Sequence, residues 1–592
     1  MSTHTANPAP GPDVDRLVAE FDEERPARQL HRVTDLAINI WCAGVAIFVL
    51  RQVFQPLQAG SQYYLVTFLG LTLPLIFVCY RFRARKPDPD GHQPGSDRVP
   101  RLDWVIAAIA FFVALYPVLP LPLSADGGGG YDSFLDRQGS LGAYDVIAGG
   151  ILLLLVLEAT RRTTGIVLPA FCLIFLAYGY YGGALPVEWA ISHRGEDIDQ
   201  IINALYNEAS GFFGVPLDVA ATYIVLFTIY GAVLDKMGAG RFFVQFSFSL
   251  FGKSKTAPGR TVATSGFLLG TVSGSGTATA VTLGSFAWPI LKRAGYPREA
   301  AGGMIAASGI GAILSPPTLG AAAFIIAEYL GESYLKVLVW AIVPTLLYYL
   351  GIFLAVEIDA RRFGAKHVEL TVGSPWRLLA RSGYHFLSLG VIVLFLALEI
   401  PPFRAVVYAT AVAALFGLAE AVISRRAIQT GIDEAPDDLP QMPMAASLRD
   451  FGQRVFMALS TGIRSALPVV AVCAAAGAIT STIAKTGLGQ VLSDLLVTAA
   501  KALAPTEGAV IVLTAIFAAI AILVLGLAVP VTASFILSWV IIGPALIGLG
   551  AEPPVVAMFI FYYAVLSEVS PPTALAAVAS AAITGGRIIP TM

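Results

Sequence analysis

Ser315-Pro316-Pro317-Thr318 returns 255 residues later (570 − 315) as Ser570-Pro571-Pro572-Thr573. At that offset, without a gap, Thr277-Ala278 meets Thr532-Ala533, Leu268 meets Leu523 and Pro289 meets Pro544. Gly295 likewise meets Gly550, and Ala321-Ala322 meets Ala576-Ala577. A bias towards alanine supplies some chance matches. It does not place two identical tetrads and two further prolines in one register, so the chain carries an internal duplication. A Pro-Pro step removes two backbone donors and frees carbonyls about one turn earlier. Each tetrad therefore reads as a helix break.

The surroundings of both breaks are apolar. Of 592 residues, 56% are hydrophobic and 13% are charged, with a mean hydropathy of +0.72. A soluble chain carries roughly 25% charged residues, so most of this one belongs in lipid. Thirty-eight basic and 40 acidic residues leave a net charge of −2, which offers no field for nucleic acid. Cys42, Cys79, Cys172 and Cys473 lie far apart in apolar runs, and the six histidines are scattered without an HExxH spacing. Neither set reads as a metal centre. The first 32 residues are polar, with no apolar run of the kind a cleaved signal peptide has.

A spanning helix needs about 20 mostly apolar residues. Such runs are expected at 36–54, 63–80, 104–123, 143–157 and 165–185. Arg25, Arg28 and Arg32 precede the first, Arg81, Arg83, Arg85 and Lys86 follow the second, and Arg161 and Arg162 follow the fourth. The loops between, at 55–62 and 124–140, are poor in Lys and Arg, so the positive-inside rule puts the N-terminus in the cytoplasm and 186–200 outside. From residue 201 the apolar segments turn rich in Gly, Ala, Ser, Thr and Pro, and polar linkers at 357–381 and 424–450 interrupt them. The second linker, with Asp433, Glu434, Asp437 and Asp438, reads as a hinge between two membrane halves.

Pro/Gly-interrupted segments at corresponding places in duplicated membrane halves point to the binding site of a secondary transporter. Irregular backbone is tolerated at membrane depth only where it is buried or lines a cavity. There, free carbonyls suit Na⁺, and free N–H groups at a helix start suit a carboxylate. Two pairs of segments qualify. One is the Gly270 to Thr277 run, with Ser273, Gly274, Ser275 and Thr277, and its mate with Gly526, Ala528, Pro530 and Thr532. The other is the two tetrads: Ser315, Pro316, Pro317 and Thr318, preceded by Ser308, and Ser570, Pro571, Pro572 and Thr573, preceded by Ser567 and Glu568. Sodium is expected at Ser275, Ser315, Thr532, Ser570 and neighbouring carbonyls. For one Gly-Ser cluster, tight helix packing is the simpler reading; two clusters and two tetrads in one register favour a site. Glu568 is an intramembrane carboxylate and a site candidate, while Glu158, Asp218, Asp235, Glu328 and Glu399 read as markers of span ends. No cluster of Asp, Glu and His suggests a proton relay, which favours Na⁺ as the coupling ion.

Enzyme signatures fail. Phe251-Gly252-Lys253-Ser254 lacks the first glycine of a P-loop, because position 247 is Ser247, and no GxSxG elbow surrounds Ser273, Ser275 or Ser308. No enzyme activity, ATP-driven pumping or organic cofactor is expected. Sodium is the expected coupling ion.

Residues 222–362 resemble the large membrane subunit of tripartite ATP-independent periplasmic (TRAP) transporters, especially the TAXI subgroup. The matching words are Gly270-Thr271-Val272-Ser273-Gly274-Ser275, Lys292-Arg293-Ala294-Gly295-Tyr296, and Pro316-Pro317 through Gly320-Ala321-Ala322-Ala323-Phe324 to Ala327-Glu328. Residues 526–535 and 567–577 resemble the family's second hairpin and following helix. Glu158-Ala159-Thr160-Arg161-Arg162-Thr163-Thr164-Gly165 resembles the small membrane subunit, fused in front. Departures from the family pattern are Thr279 for a frequent Asn, Ala528 for Gly, Ser570 for Thr and Glu568 for Asp.

The resemblance implies an all-α polytopic integral membrane protein of the inner membrane, with an inverted repeat, re-entrant hairpins and elevator-type movement. It implies sodium-driven import of a small organic anion, a carboxylate by default, delivered by an extracytoplasmic substrate-binding protein. The expected organisation is a cytoplasmic tail (1–35), a small-subunit-like domain (36–200), a first large-subunit half with hairpin 1 (201–424), a linker (425–450) and a second half with hairpin 2 (451–592). The alternatives are a carrier that needs no binding protein and, further off, a channel.

Overall fold

The computed structural model describes residues 27–82, 98–121, 127–251, 254–368, 374–423, 442–504, 506–526, 529–571 and 574–592, with backbone alone for Val272, Ser273 and Glu507. The N-terminal residues to 26, the basic residues Arg83, Arg85 and Lys86, residues 252–253, the linker at 424–441, and Ala528, Pro572 and Thr573 lie outside the described residues.

Lipid offers no partner for a bare backbone group, so each apolar run closes its own hydrogen bonds as a helix. The first five are α1 (Arg32–Phe54), α2 (Ser61–Cys79), α3 (Arg101–Leu115), α4 (Ala143–Thr163) and α5 (Val167–Tyr181). The third ends at Val118 after a 3₁₀ turn rather than at 123, since Pro117 and Pro120 forbid its continuation. The fourth runs past Leu157 through Arg161 and Arg162, because Glu158 pairs with Arg161 at 2.7 Å and Arg162 at 2.8 Å within the helix.

Next come α6 (Val215–Lys236, with a π turn at Ala220–Ile224), α7 (Ala239–Phe251), α8 (Ala257–Ser273), α9 (Gly276–Ala294), α10 (Arg298–Leu314), α11 (Ala322–Leu330) and α12 (Tyr334–Arg362). They are followed by α13 (Tyr384–Ala397), bent 65° from a short helix at Pro375–Ser382, then α14 (Pro402–Ile423) and α15 (Met444–Thr486). The second half has α16 (Leu488–Leu503), α17 (Glu507–Gly526), α18 (Val531–Gly548), α19 (Pro553–Val565) and α20 (Leu575–Thr584). Among the described residues, 11 helices are long and apolar enough to cross a bilayer. The fold is an all-α, polytopic membrane protein. Its lipid-facing surface is legible on α12, where Val339, Val343, Leu346, Leu350 and Leu354 are exposed while Ala341, Thr345, Tyr349 and Val356 are buried.

Both linkers are shorter than composition suggests. Residues 357–362 are the last turns of α12, where Arg260 bonds Glu357 at 2.7 Å. Residues 444–450 open α15, a 43-residue helix about 65 Å long at 1.5 Å per residue. This helix is largely buried and packs against α1, α5, α6 and α18.

The duplication is a duplication of elements. Helix α9 begins at Gly276 and α18 at Val531, and α10 begins at Arg298 and α19 at Pro553, both pairs at the sequence offset. The second arms contain Pro289 and Pro544 and end at Gly295 and Gly550, with φ of 92° and 91°. A side chain strains in that left-handed region, which explains why the register preserves glycine there. In each half, two arms form a helical hairpin (α8–α9, α17–α18). A helix ending in a break follows (α10, α19), and then a short helix (α11, α20). The short helices are exchanged: α20 packs on α9 and α10, and α11 on α18 and α19.

Glycines bring α8 against α10. A Cβ on Gly266 would stand 2.6 Å from the Ser308 oxygen, and one on Gly270 2.5 Å from the Ala312 Cα. The N-terminal helices are tied to the duplicated body by polar bonds between helices. Arg464 donates to Asp35 at 2.8 Å and Ser460 to Asn39 at 2.6 Å, joining α15 to α1. Arg28 and Arg162 both bond Asp103, the latter at 2.9 Å, closing the base of α2, α3 and α4.

Candidate functional site

The tip of the first hairpin sits between the two helix breaks. Helix α8 closes at Gly274 in the left-handed conformation, φ 64°, a geometry glycine adopts without strain. Ser275 then caps α9, its hydroxyl accepting from the Ala278 N–H at 3.2 Å. Cap residues of this kind satisfy one of the four free N–H groups at a helix start.

From this tip, one contact runs to each break. The Thr318 hydroxyl, in the first tetrad, donates to the Thr271 carbonyl at 2.5 Å, on the last turn of α8. The Thr277 hydroxyl, on the first turn of α9, donates to Glu568 Oε2 at 3.1 Å, immediately before the second tetrad. Thr277 is fully buried and Glu568 is 2% exposed. The repeat counterpart of Glu568 is Ile313 (568 − 255), and both converge on Gly276. A Cβ there would lie 3.3 Å from Ile313 Cδ1 and 3.6 Å from Glu568 Oε2. One half supplies a carboxylate at this point and the other a hydrocarbon, so the repeat keeps its shape while the chemistry is one-sided.

The second tip joins the same row. A Cβ on Gly526, at the end of α17, would lie 3.3 Å from Ser534 Oγ and 3.6 Å from Ser567 Cβ. Pro530 caps α18, accepting from the Ser534 N–H at 2.9 Å, and Thr532 is buried in the first turn. Ser570 is half-buried and its carbonyl accepts from the Ala574 N–H at 3.1 Å, while Pro571 is exposed. First break, first tip, second break and second tip thus form a continuous line of contacts through buried structure.

Other residues marked in the sequence have local tasks. Ser308 donates to the Met304 carbonyl at 2.7 Å within α10 and packs against Gly266. Ser315 is fully buried and donates to the Gly311 carbonyl. The Pro316-Pro317 bond is cis. The carbonyls near this break are held: Ile313 by the Gly320 N–H at 3.0 Å and Pro317 by the Tyr334 hydroxyl at 3.1 Å.

Two oxygens that sequence reading left out are the hydroxyls of Thr279 and Ser534. Both are buried, and neither has a hydrogen-bond partner. They are repeat counterparts (534 − 279 = 255), one turn into the second arm of each hairpin. Leaving a hydroxyl buried and unbonded costs on the order of 1–3 kcal/mol. Several other buried hydroxyls also lack a partner, Ser265 and Ser538 among them, and what sets this pair apart is its matching place in the two halves. The register could have found them, since Thr279 aligned with Ser534 keeps a hydroxyl in both halves. Among the described residues, no group of three or more His, Cys, Asp or Glu could hold a metal ion.

Paired helix breaks and paired hairpin tips thus lie together inside a duplicated all-α membrane fold. Residues 151–592 match the family described as Tripartite ATP-independent periplasmic transporter, DctM component, and the chain belongs to that family. It is therefore a multi-pass membrane component of a secondary transporter. A curated relative is the 2,3-diketo-L-gulonate TRAP transporter large permease protein YiaN of Escherichia coli (strain K12), 24% identical over 234 residues. That alignment takes in 38% of this chain and 53% of the relative, so the chain spans about half the length of the curated relative it matches. The crystal structure of the Alcanivorax borkumensis YdaH transporter aligns with 71% of this chain and 90% of its own, at 16% identity and a TM-score of 0.42.

Proposed function

We propose that the chain is the permease of a sodium-coupled importer of a small organic anion, delivered by an extracytoplasmic substrate-binding protein. The observation that carries this reading is the Thr277–Glu568 bond together with Thr318–Thr271. The two bonds link each break to the first tip through buried side chains, which supports reading them as one site. Sodium is held by hydroxyl and carbonyl oxygens of the tips and breaks, among them Ser275, Ser315, Thr532 and Ser570, with Thr279 and Ser534 supplying two unbonded hydroxyls. The anion's carboxylate is taken by the free N–H groups at the starts of α9 and α18, where the helix dipoles are positive. YiaN is named for a sugar acid, which supports a carboxylate as the substrate class.

The duplicated hairpins and breaks form an inverted repeat and move as an elevator against the remaining helices. Residues 36–200 act as a fused small subunit of the TAXI type, and the protein resides in the inner membrane with its N-terminus cytoplasmic, as the basic loops suggest. The outward loops expected from the charge pattern, such as 186–200, are short, which supports capture of substrate by a separate soluble protein.

The test is uptake into proteoliposomes holding the full chain, with its binding protein and a panel of radiolabelled carboxylates. Accumulation is expected with an inward Na⁺ gradient and without ATP. Full accumulation in choline, driven by a proton gradient alone, overturns sodium coupling. Saturable uptake without the binding protein favours a self-sufficient carrier, and flux that never exceeds equilibrium favours a channel.

A further inference from the structure

Helix α12 places a row of hydroxyls along the first break, of which only the Tyr334 bond enters the site as described above. Tyr334, at its start, donates to the Pro317 carbonyl at 3.1 Å. Three turns on, the Thr345 hydroxyl lies 2.6 Å from the Leu314 carbonyl and 2.7 Å from the Ala341 carbonyl of its own helix. The Tyr349 hydroxyl lies 3.4 Å from Ser315 Oγ. All three side chains are at least nine-tenths buried. Tyr349 reaches Ser315 only because position 311 is glycine, where a Cβ would stand 1.9 Å from its hydroxyl. The edge-to-face ring of Phe267, 5.1 Å away, fixes Tyr349 from the α8 side. Thr345 and Tyr349 are four residues apart, so they share one face of α12, opposite the lipid-facing leucines.

We propose that Thr345 and Tyr349, with Tyr334, are positioning residues that set the first break for cation binding; this rests on the reading of that break as part of the sodium site. The physical argument is one of pre-organisation. Backbone carbonyls released by two prolines in an apolar setting either collapse onto the nearest donor or are held by fixed ones. A binding constellation needs its ligands held within about 0.5 Å by a supporting layer of packing and hydrogen bonds. The α12 hydroxyls supply that layer for the carbonyls of Leu314 and Pro317 and for the Ser315 side chain. Thr345 has one proton for two carbonyls. When the proton serves Ala341, the Leu314 oxygen is left facing the break as a cation ligand. When the proton serves Leu314, the empty site is capped.

Tyr348 provides the comparison. It lies on the same helix and donates to the Ala307 carbonyl at 2.7 Å, in the body of α10 and away from the break. It is thus a cross-helix tie of the same kind without a break to position.

The experiment uses purified full-length protein in detergent with NaCl as the only probe and choline chloride as the matched salt. The sodium midpoint is read from the rise in melting temperature, since a ligand that binds only the folded state stabilises it in proportion to ln(1 + [L]/Kd). Thr345→Val and Tyr349→Phe are expected to raise the sodium midpoint about fivefold each, the size of one ordinary hydrogen bond. Thr345→Ser restores it, and Tyr348→Phe leaves it at the wild-type value while lowering the melting temperature in choline. If Thr345→Val and Tyr349→Phe change only the choline melting temperature, as Tyr348→Phe does, the row is structural and the proposal falls. Ser315→Ala separates the two readings. A shifted midpoint in Ser315→Ala with unshifted α12 variants sinks the positioning role and leaves the site standing. An unshifted midpoint in Ser315→Ala removes the first break from the sodium site and the proposal with it.

Discussion

Thr277 and Glu568 join halves of the chain that are 291 residues apart by one buried hydrogen bond. A buried hydrogen bond is worth about 0.5–1.5 kcal/mol net, so Thr277→Val is expected to weaken the apparent sodium affinity by roughly 2- to 10-fold with little loss of membrane expression. Thr532→Val removes the counterpart oxygen at the same volume. Sodium titration of uptake checks both, and a shift in one half alone means that the repeat has kept its shape and lost one of its sites. Unchanged sodium dependence in both, and in Ser315→Ala and Ser570→Ala, makes the breaks packing features. The unbonded hydroxyls carry an opposite signature. Because Ser534 Oγ is buried without a partner, Ser534→Ala is expected to raise the melting temperature in choline by the relief of about 1 kcal/mol while reducing the increment that sodium adds. A variant less stable in both salts shows instead that the hydroxyl has a structural partner.

At the scale of the helix, glycine spacing decides how close the hairpin comes to the helix behind it. A methyl on Gly270 would stand 2.5 Å from the Cα of Ala312, backbone that has nowhere to move. Gly270→Ala is therefore expected to cost about 1–3 kcal/mol by overpacking. Gly44→Ala, on α1 with nothing within 4 Å, serves as the uncrowded control, expected to gain up to about 1 kcal/mol from helix propensity alone, and detergent melting curves compare the two. Gly295→Ala and Gly550→Ala test the repeat itself. Each forces a side chain into the left-handed region, at about 1–2 kcal/mol, and the two losses should match if both second arms end alike. Much of this scale was legible beforehand: the paired prolines, the paired glycines and the tetrads located both hairpins and both breaks. Arg161 and Arg162 were not legible as helix interior, because a basic pair reads as a span boundary until Glu158 is seen to neutralise it one turn earlier.

For the whole molecule, α15 is the common wall between the N-terminal helices and the duplicated body. Its Arg464 pairs with Asp35 of α1 while both side chains remain partly exposed, 28% and 35%, so the pair serves registry more than stability. Removing one partner leaves the other charge uncompensated beside lipid. Arg464→Leu is expected to lower the melting temperature more than the double variant Asp35→Leu/Arg464→Leu, a coupling that a double-mutant cycle measures directly. Additive losses mean that the two helices are held by their apolar faces alone.

Composition and the 255-residue register settled by themselves that the chain is a duplicated, helical membrane protein with breaks at fixed places. Hydropathy and proline act locally, and a repeat preserves local signals. Only the tertiary structure decided which break meets which tip. Thr277 reaches across to Glu568 in the other half, and Thr318 turns back to Thr271 in its own. The row of hydroxyls on α12 was equally hidden. Thr345, Tyr348 and Tyr349 look like ordinary residues of an apolar span, and their partners lie 31 to 41 residues away along the chain. A hydrogen bond between distant segments depends on how helices cross, and helix crossing is fixed by the packing of the whole fold rather than by any local run of residues.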